Sequence, residues 1–179
     1  VMWFSTRADG LYYFAGDRLY RVDDQEGLPD LYIYDLYEDG EGNIWAGTDA
    51  GIAVCTLREK QLTIKVIDSK DGLPDIIIKK IRIIKDNLLG LATEDAGLLT
   101  YNLATREIHP LIDHWTFGSI SDFVVKENQF WIASPEKGLV LYDGFTKQTQ
   151  QLTAVNGVNL LLIHALLLDR EGNIWTRSK

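Results

Sequence analysis

Short apolar runs alternate along this chain with tight polar turns. The clearest stretch is residues 38–51, Glu-Asp-Gly-Glu-Gly-Asn-Ile-Trp-Ala-Gly-Thr-Asp-Ala-Gly. Gly40-Glu41-Gly42-Asn43 is a turn signal, because Gly and Asn accept the positive φ that short hairpins need. Asp49-Ala50-Gly51 is a second turn. Between them Trp45 sits mid-strand, where a large aromatic suits a pleated, buried surface. Residues 32–37, 76–84, 120–125 and 160–168 are apolar on both faces, which predicts strands buried on both sides. Residues 62–67 alternate, as the outer edge of a sheet does. Residues 76–84 invite a helical reading, but their β-branched density favours a strand. No helix of any length is predicted.

The pattern repeats. Trp3, Trp45, Trp131 and Trp175 each stand three residues before Thr6, Thr48, Ser134 and Ser178, and Gly90 keeps the same place before Thr93. Successive Thr/Ser markers lie 41 to 45 residues apart. A glycine follows each of the first four at Gly10, Gly51, Gly97 and Gly138. After each glycine comes a short apolar strand: Leu11-Tyr12-Tyr13-Phe14, Ile52-Ala53-Val54-Cys55, Leu98-Leu99-Thr100-Tyr101 and Leu139-Val140-Leu141-Tyr142. A second marker, Gly27-Leu28-Pro29-Asp30, returns 45 residues later as Gly72-Leu73-Pro74-Asp75. It decays to His114-Trp115-Thr116-Phe117-Gly118-Ser119 and Ala154-Val155-Asn156-Gly157. A period of about 40–45 residues, with four short strands and a recurring Trp, is the signature of a propeller blade. One such blade cannot bury both its faces, so blades stack and bury the Trp and aliphatic rows between them. The predicted fold is all-β: about four four-stranded β-propeller blades.

The chain has 179 residues, a soft prior for one domain, and its 46% hydrophobic content fits a globular fold. The net charge of −8 argues against nucleic acid and against an anionic membrane surface. The single cysteine, Cys55, excludes an internal disulfide and a thiolate metal cluster, and reads as a small buried apolar side chain. The N-terminal residues lack a basic region followed by an apolar core, so no signal peptide is predicted. The longest apolar run, residues 160–168, is interrupted by His164 and is about half the ~20 residues of a membrane span. The chain starts and stops inside the Trp strand, as a piece of a longer propeller does.

Residues 39–52, Asp-Gly-Glu-Gly-Asn-Ile-Trp-Ala-Gly-Thr-Asp-Ala-Gly-Ile, resemble the two-component regulator propeller repeat. Residues 169–175 match its first half, and the two Gly-Leu-Pro-Asp loops match the loop that precedes it. The resemblance covers almost the whole chain, as four repeats near 1–30, 31–75, 76–119 and 120–159 and a partial one at 160–179. The repeat near Ile81 departs by lacking the Trp. That around Trp131 lacks both the Gly-Leu-Pro loop and the Asp-x-x-Gly turn. The resemblance implies a propeller of about seven blades in the periplasmic sensor half of a hybrid two-component system. Such systems are common in Bacteroides-type gut bacteria, where they sense carbohydrate breakdown products and regulate transcription. It implies no enzymatic activity in this chain and no cofactor; a kinase and any membrane segment would lie outside it. The implied partners are an oligosaccharide or other small ligand, and a second copy or further blades on open apolar faces.

Trp3, Trp45, Trp131, Trp175, Gly10, Gly51, Gly97 and Gly138 read as blade architecture, since they recur at one structural place. Asp39 and Asp169 read as turn caps. Ligands of propellers bind at the axial mouth, where loops converge. Loops leading into the inner strands nominate Asp30, Tyr32, Asp75, His114, Trp115, Asn156 and Asn159. Turns after the Trp strands nominate Arg7, Asp9, Asp49, Glu94, Asp95 and Glu136. Trp115 is the sharpest candidate: off the repeat pattern, beside His114, it can stack on a sugar or pack under its own loop. His109, His114 and His164 have no metal-ligand spacing, and no nucleophile elbow, phosphate loop or dinucleotide motif is present. No catalytic or metal site is predicted. Two other classes compete with the sensor reading: a propeller lyase or glycosidase, and a protein-assembly scaffold.

Overall fold

The computed structural model describes residues 1–74 and 77–178. The first sheet has three strands, β1 (Met2–Ser5), β2 (Leu11–Ala15) and β3 (Arg18–Val22). Three four-stranded antiparallel sheets follow. They are β4 (Ile33–Glu38) to β7 (Gln61–Ile67) through β5 (Ile44–Thr48) and β6 (Gly51–Arg58); β8 (Ile78–Lys85) to β11 (Ile108–Pro110) through β9 (Leu88–Thr93) and β10 (Leu98–Asn102); and β12 (Asp122–Lys126) to β15 (Thr149–Leu152) through β13 (Gln129–Ser134) and β14 (Gly138–Asp143). A small hairpin, β16 (Ala154–Val155) with β17 (Val158–Asn159), precedes the pair β18 (Ile163–Leu168) and β19 (Ile174–Ser178). Strands adjacent in sequence pair in space, so every sheet is an up-and-down meander of the propeller-blade kind. The only helical element among the described residues is a 3₁₀ turn, Ser69–Asp71.

The chain forms two compact units, Val1–Arg82 and Ile83–Lys179, with the division inside β8. In the first unit, Leu11, Tyr13 and Val22 of one sheet share a core with Ile44, Ala46, Ala53 and Cys55 of the next. In the second unit, Val124, Ala133 and Leu139 pack with Ile163 and Leu166. Fully burying each large aliphatic side chain contributes about 1.5–3 kcal/mol.

Two strand expectations need correction. Residues 32, 120–121 and 160–162 are not strand: β4 begins at Ile33, β12 at Asp122 and β18 at Ile163, after Leu162 with a left-handed φ of 60°. The strand starting each sheet is also not uniformly buried, since β4 is fully buried only at Ile33. It has a partner strand on one side only, so its other edge and its polar Tyr34, Asp35 and Tyr37 remain half-buried. The strand placed at 76–84 starts on residues outside those described; β8 runs from Ile78.

One carboxylate organises each well-formed repeat turn. Asp39 accepts hydrogen bonds from the backbone N–H of Glu41 and Asn43, from Asn43 Nδ2, and from the indole Nε1 of Trp45 at 2.8 Å. Asp169 accepts the same set from Glu171, Asn173 and Trp175, the indole at 2.7 Å. The Asp is therefore both a turn cap and a latch on the Trp ring six residues on. Trp131 has no such acid and its Nε1 is buried without a partner. Where Gly90 replaces the Trp, the fully buried Phe123 fills the space: a Cβ on Gly90 would lie 2.5 Å from its ring.

The glycine after each Trp strand has a steric cause. Gly51 has φ +104°, and a Cβ there would stand 2.5 Å from the Ile67 carbonyl oxygen at the end of the outer strand. The acidic residues ahead of Gly-Leu-Pro are caps as well. Asp68 and Asp71 form a capping box around the 3₁₀ turn, and Asp23 and Glu26 make the equivalent bonds one repeat earlier. Each loop seats a leucine, Leu28 or Leu73, in the core.

Burial raises the Asp39 carboxyl, but the hydrogen bonds from Trp45 and Asn43 outweigh it and leave the group below its ordinary value. At Asp169 the Trp175 bond comes first and the value falls to about 2. A carboxyl so depressed stabilises the fold fully above its unfolded value, about 4, and that stabilisation disappears as pH falls through the folded value. Asp39→Ala is expected to lower stability by about 2 kcal/mol at pH 7, with the gap to the parent narrowing below about pH 4. Urea unfolding at pH 7, 4 and 2 measures this; a gap independent of pH would refute the latch.

Candidate functional site

In the first unit the turn after β1, the loop leading into β4 and the turn after β5 bring three of the sequence candidates together: Arg7, Tyr32 and Asp49. The Tyr32 and Tyr34 rings lie 5.5 Å apart at 44°. The Arg7 guanidinium sits 5.9 Å from the Tyr32 ring centre, and Lys79 Nζ of β8 lies 4.7 Å from that of Tyr34. Tyr34 Oη donates to Asp49 at 2.8 Å. Asp30 accepts the Tyr32 N–H at 2.6 Å, which fixes the loop that carries the ring. The result is a pair of half-buried aromatic rings with a cation over each and a carboxylate at one hydroxyl. Such a surface can stack on the C–H face of a ring and exchange hydrogen bonds with its hydroxyls.

The position of Tyr34 depends on a bulge. Ile33 pairs with Thr48 and Asp35 with Gly47, so Tyr34 is the extra residue. In the second unit β18 repeats the irregularity: Ile163 pairs with Ser178 and Ala165 with Arg177, leaving His164 as the extra residue. Tyr34 and Lys79 were not among the sequence candidates. The available signal for Tyr34 was its place two residues after Tyr32; nothing in the sequence marks the bulge.

A second pair of carboxylates missed by sequence reasoning ties successive inner strands together. Asp35 accepts from Lys80 Nζ at 2.8 Å and from the Ile81 N–H at 2.9 Å. Asp122 accepts from the Leu166 N–H at 2.9 Å. Both spare the next inner strand an unpaired N–H at its free edge.

The remaining candidates are scattered. Asp9 is held by Arg21 and by Tyr12 Oη, at 2.7 and 2.6 Å. Asp75 lies outside the described residues. Glu94 accepts from Ser119 Oγ at 3.1 Å, and Glu136 lies against Gly118. Asp95 and His114 are exposed, His114 with a left-handed φ of 55°. Trp115 packs under its loop: its ring covers Gly97, its edge meets Phe117 at 5.0 Å, and its Nε1 donates to the Gly118 carbonyl at 2.7 Å. Asn156 forms the β16–β17 turn with Gly157, and Asn159 accepts the Leu161 N–H.

Of the repeat tryptophans, Trp45 is buried, Trp3 and Trp131 are half-buried, and Trp175 is 61% exposed. The lone Cys55 is fully buried, and burial pushes its thiol up to about 12, far from a nucleophile's range. Among the described residues no three His, Cys, Asp or Glu side chains group as metal ligands. Nor is any described helix long and apolar enough to cross a membrane.

The meandering four-stranded sheets define the chain as β-propeller in fold. Residues 27–50 match the family model of the two component regulator propeller. Two solved structures of the extracellular domain of BT4673 from B. thetaiotaomicron, described as a putative one component and a putative hybrid two component system, superpose at TM-scores of 0.79 and 0.78. Their identities to this chain are 21% and 20%, over 98% and 97% of it. The chain spans 24% of each of those chains. The computationally designed Ika4 protein superposes at 0.53, with 14% identity over 82% of this chain and 90% of its own. No curated protein matches.

Gly97→Ala tests the packing of Trp115. With φ +76° and a Cβ 2.5 Å from the indole Cγ, the variant must expel the ring. A loss of about 2 kcal/mol and a red-shifted tryptophan emission are expected; unchanged emission would show that Trp115 is not seated on Gly97.

Proposed function

We propose that this chain belongs to the periplasmic, ligand-sensing region of a hybrid two-component system, and that it binds a carbohydrate breakdown product without transforming it. The observation that carries this reading is the Tyr32–Tyr34 pair, flanked by Arg7 and Lys79 and hydrogen-bonded to Asp49. Aromatic faces take up the apolar face of a sugar, while Asp49 and Asp30 are acceptors for its hydroxyls. The propeller-repeat match at residues 27–50 overlaps this site and supports the same reading. Binding reaches the output through parts of the protein outside this chain.

Calorimetric titration with oligosaccharides released from plant and host glycans tests it. Tyr32→Ala with Tyr34→Ala is expected to weaken the best binder about tenfold or more while far-ultraviolet dichroism stays unchanged. Binding that ignores both substitutions, or turnover of the saccharide, would remove this reading.

A second reading, association through an apolar sheet face, is favoured by Leu167 and Trp175. They are cross-strand partners and are 60% and 61% exposed. Light scattering of the parent and of Trp175→Lys decides: a concentration-dependent dimer abolished by the substitution supports it, and a monomer at all concentrations ends it.

A further inference from the structure

In the first unit a cleft of about 700 Å³ opens between the β2–β3 and β6–β7 hairpins. Ligand pockets fall at about 300–1,000 Å³. The back wall is aromatic: Tyr13 and Tyr20 are cross-strand partners whose rings stack at 4.9 Å and 9°, and Trp3 backs Tyr13 at 4.6 Å. Ala15 and Leu57 add apolar lining, and Gly16 leaves the rim open, with nothing within 4 Å of where its Cβ would be.

Charge completes the cleft. Asp17, Arg18, Glu59 and Lys60 line it, two of each sign. None of the four side chains has a hydrogen-bond or ion-pair partner among the described residues. Glu59 and Lys60 are presented by a tight turn, with left-handed φ of 50° and 68°. Charges on a hairpin turn are ordinarily just solvated; here they ring one aromatic-backed cavity. The cleft also adjoins β3, which is the outermost strand of its sheet and has an open backbone edge.

We propose that this cleft is a binding site for a short extended peptide that carries charges of both signs around an aromatic or branched apolar side chain. The apolar side chain enters between Tyr20 and Leu57. Ammonium groups meet Asp17 and Glu59, and carboxylates meet Arg18 and Lys60. The peptide backbone runs beside the free edge of β3, the geometry of strand addition. A neutral sugar would use the rings but gain nothing from the four exposed charges, whereas a peptide with charges of both signs engages them as well. The site is separate from the Tyr32–Tyr34 pair and does not depend on its role.

The probe is the tripeptide lysyl-phenylalanyl-glutamate with free termini. Its neutral counterpart has acetyl and amide ends and glutamine at both flanks. Titrated into the 179-residue chain, the charged peptide is expected to bind about tenfold or more tightly than the neutral one. Nuclear magnetic resonance should show shifts centred on the Tyr20 ring and the Leu57 methyls. Arg18→Glu with Lys60→Glu, both at the cleft rim, should remove the preference without changing the unfolding midpoint. Tyr20→Ala should weaken both peptides. The proposal is overturned if the two peptides bind alike, if neither binds at millimolar concentration, or if lactose shifts Tyr20 and the charged peptide does not.

Discussion

The structure depends on a carboxylate placed where an indole N–H needs it. Asp39 closes the turn between the inner strand and the Trp strand, and its second oxygen accepts a hydrogen bond from the Trp45 indole N–H. A buried indole without a partner costs free energy, so the acid and the ring are best kept together. Once the ring is fixed, its sheet presents a defined face to its neighbour, and the aliphatic rows of β5 and β6 follow. Trp131 shows the alternative. Val125 stands where the Asp would be, the indole N–H is buried and unpaired, and that repeat relies on apolar packing instead.

The candidate site comes from an irregularity laid over this regular frame. A straight β4 would pair every residue with β5; the bulge releases Tyr34 from that pairing and lets its hydroxyl reach Asp49. The same irregularity in β18 leaves His164 as the extra residue, its Nε2 buried and unpaired. Bulges re-aim side chains without disturbing the strands on either side. One scaffold can thus present tyrosine in one repeat and histidine in another at the same structural place.

Much of the fold was legible because it is written several times. The Trp, the glycine after it and the Gly-Leu-Pro loop each answer one backbone or packing demand, and recurrence makes them stand out. The Asp39 turn cap was readable from turn chemistry, but its bond to Trp45 was not, because five residues lie between the two in sequence. Leu160 and Leu161 looked like strand by apolarity alone; the left-handed Leu162 ends that reading. In the first unit, Arg7, Tyr32 and Asp49 were named from loop position, and they lie around the Tyr32–Tyr34 ring pair. Trp115 looked conspicuous off the repeat pattern, and it packs on Gly97. Tyr34 and the Asp35 bonds escaped notice because bulges and bonds between repeats leave no mark in a single repeat's spacing.

The Asp35 bonds constrain how such a chain can change its number of repeats. The equivalent position is Asp35 in one repeat, Lys80 in the next and Asp122 in the third, and Asp35 bonds to Lys80 itself. Excising the repeat that holds Lys80 would set Asp35 against the Asp122 segment. Two carboxylates would then meet, and the Phe123 N–H would already be taken by Asp122. Recombination within this gene is therefore not free to drop any repeat it likes; a loss that leaves Asp35 opposite a basic or neutral residue costs less than one that sets it opposite Asp122.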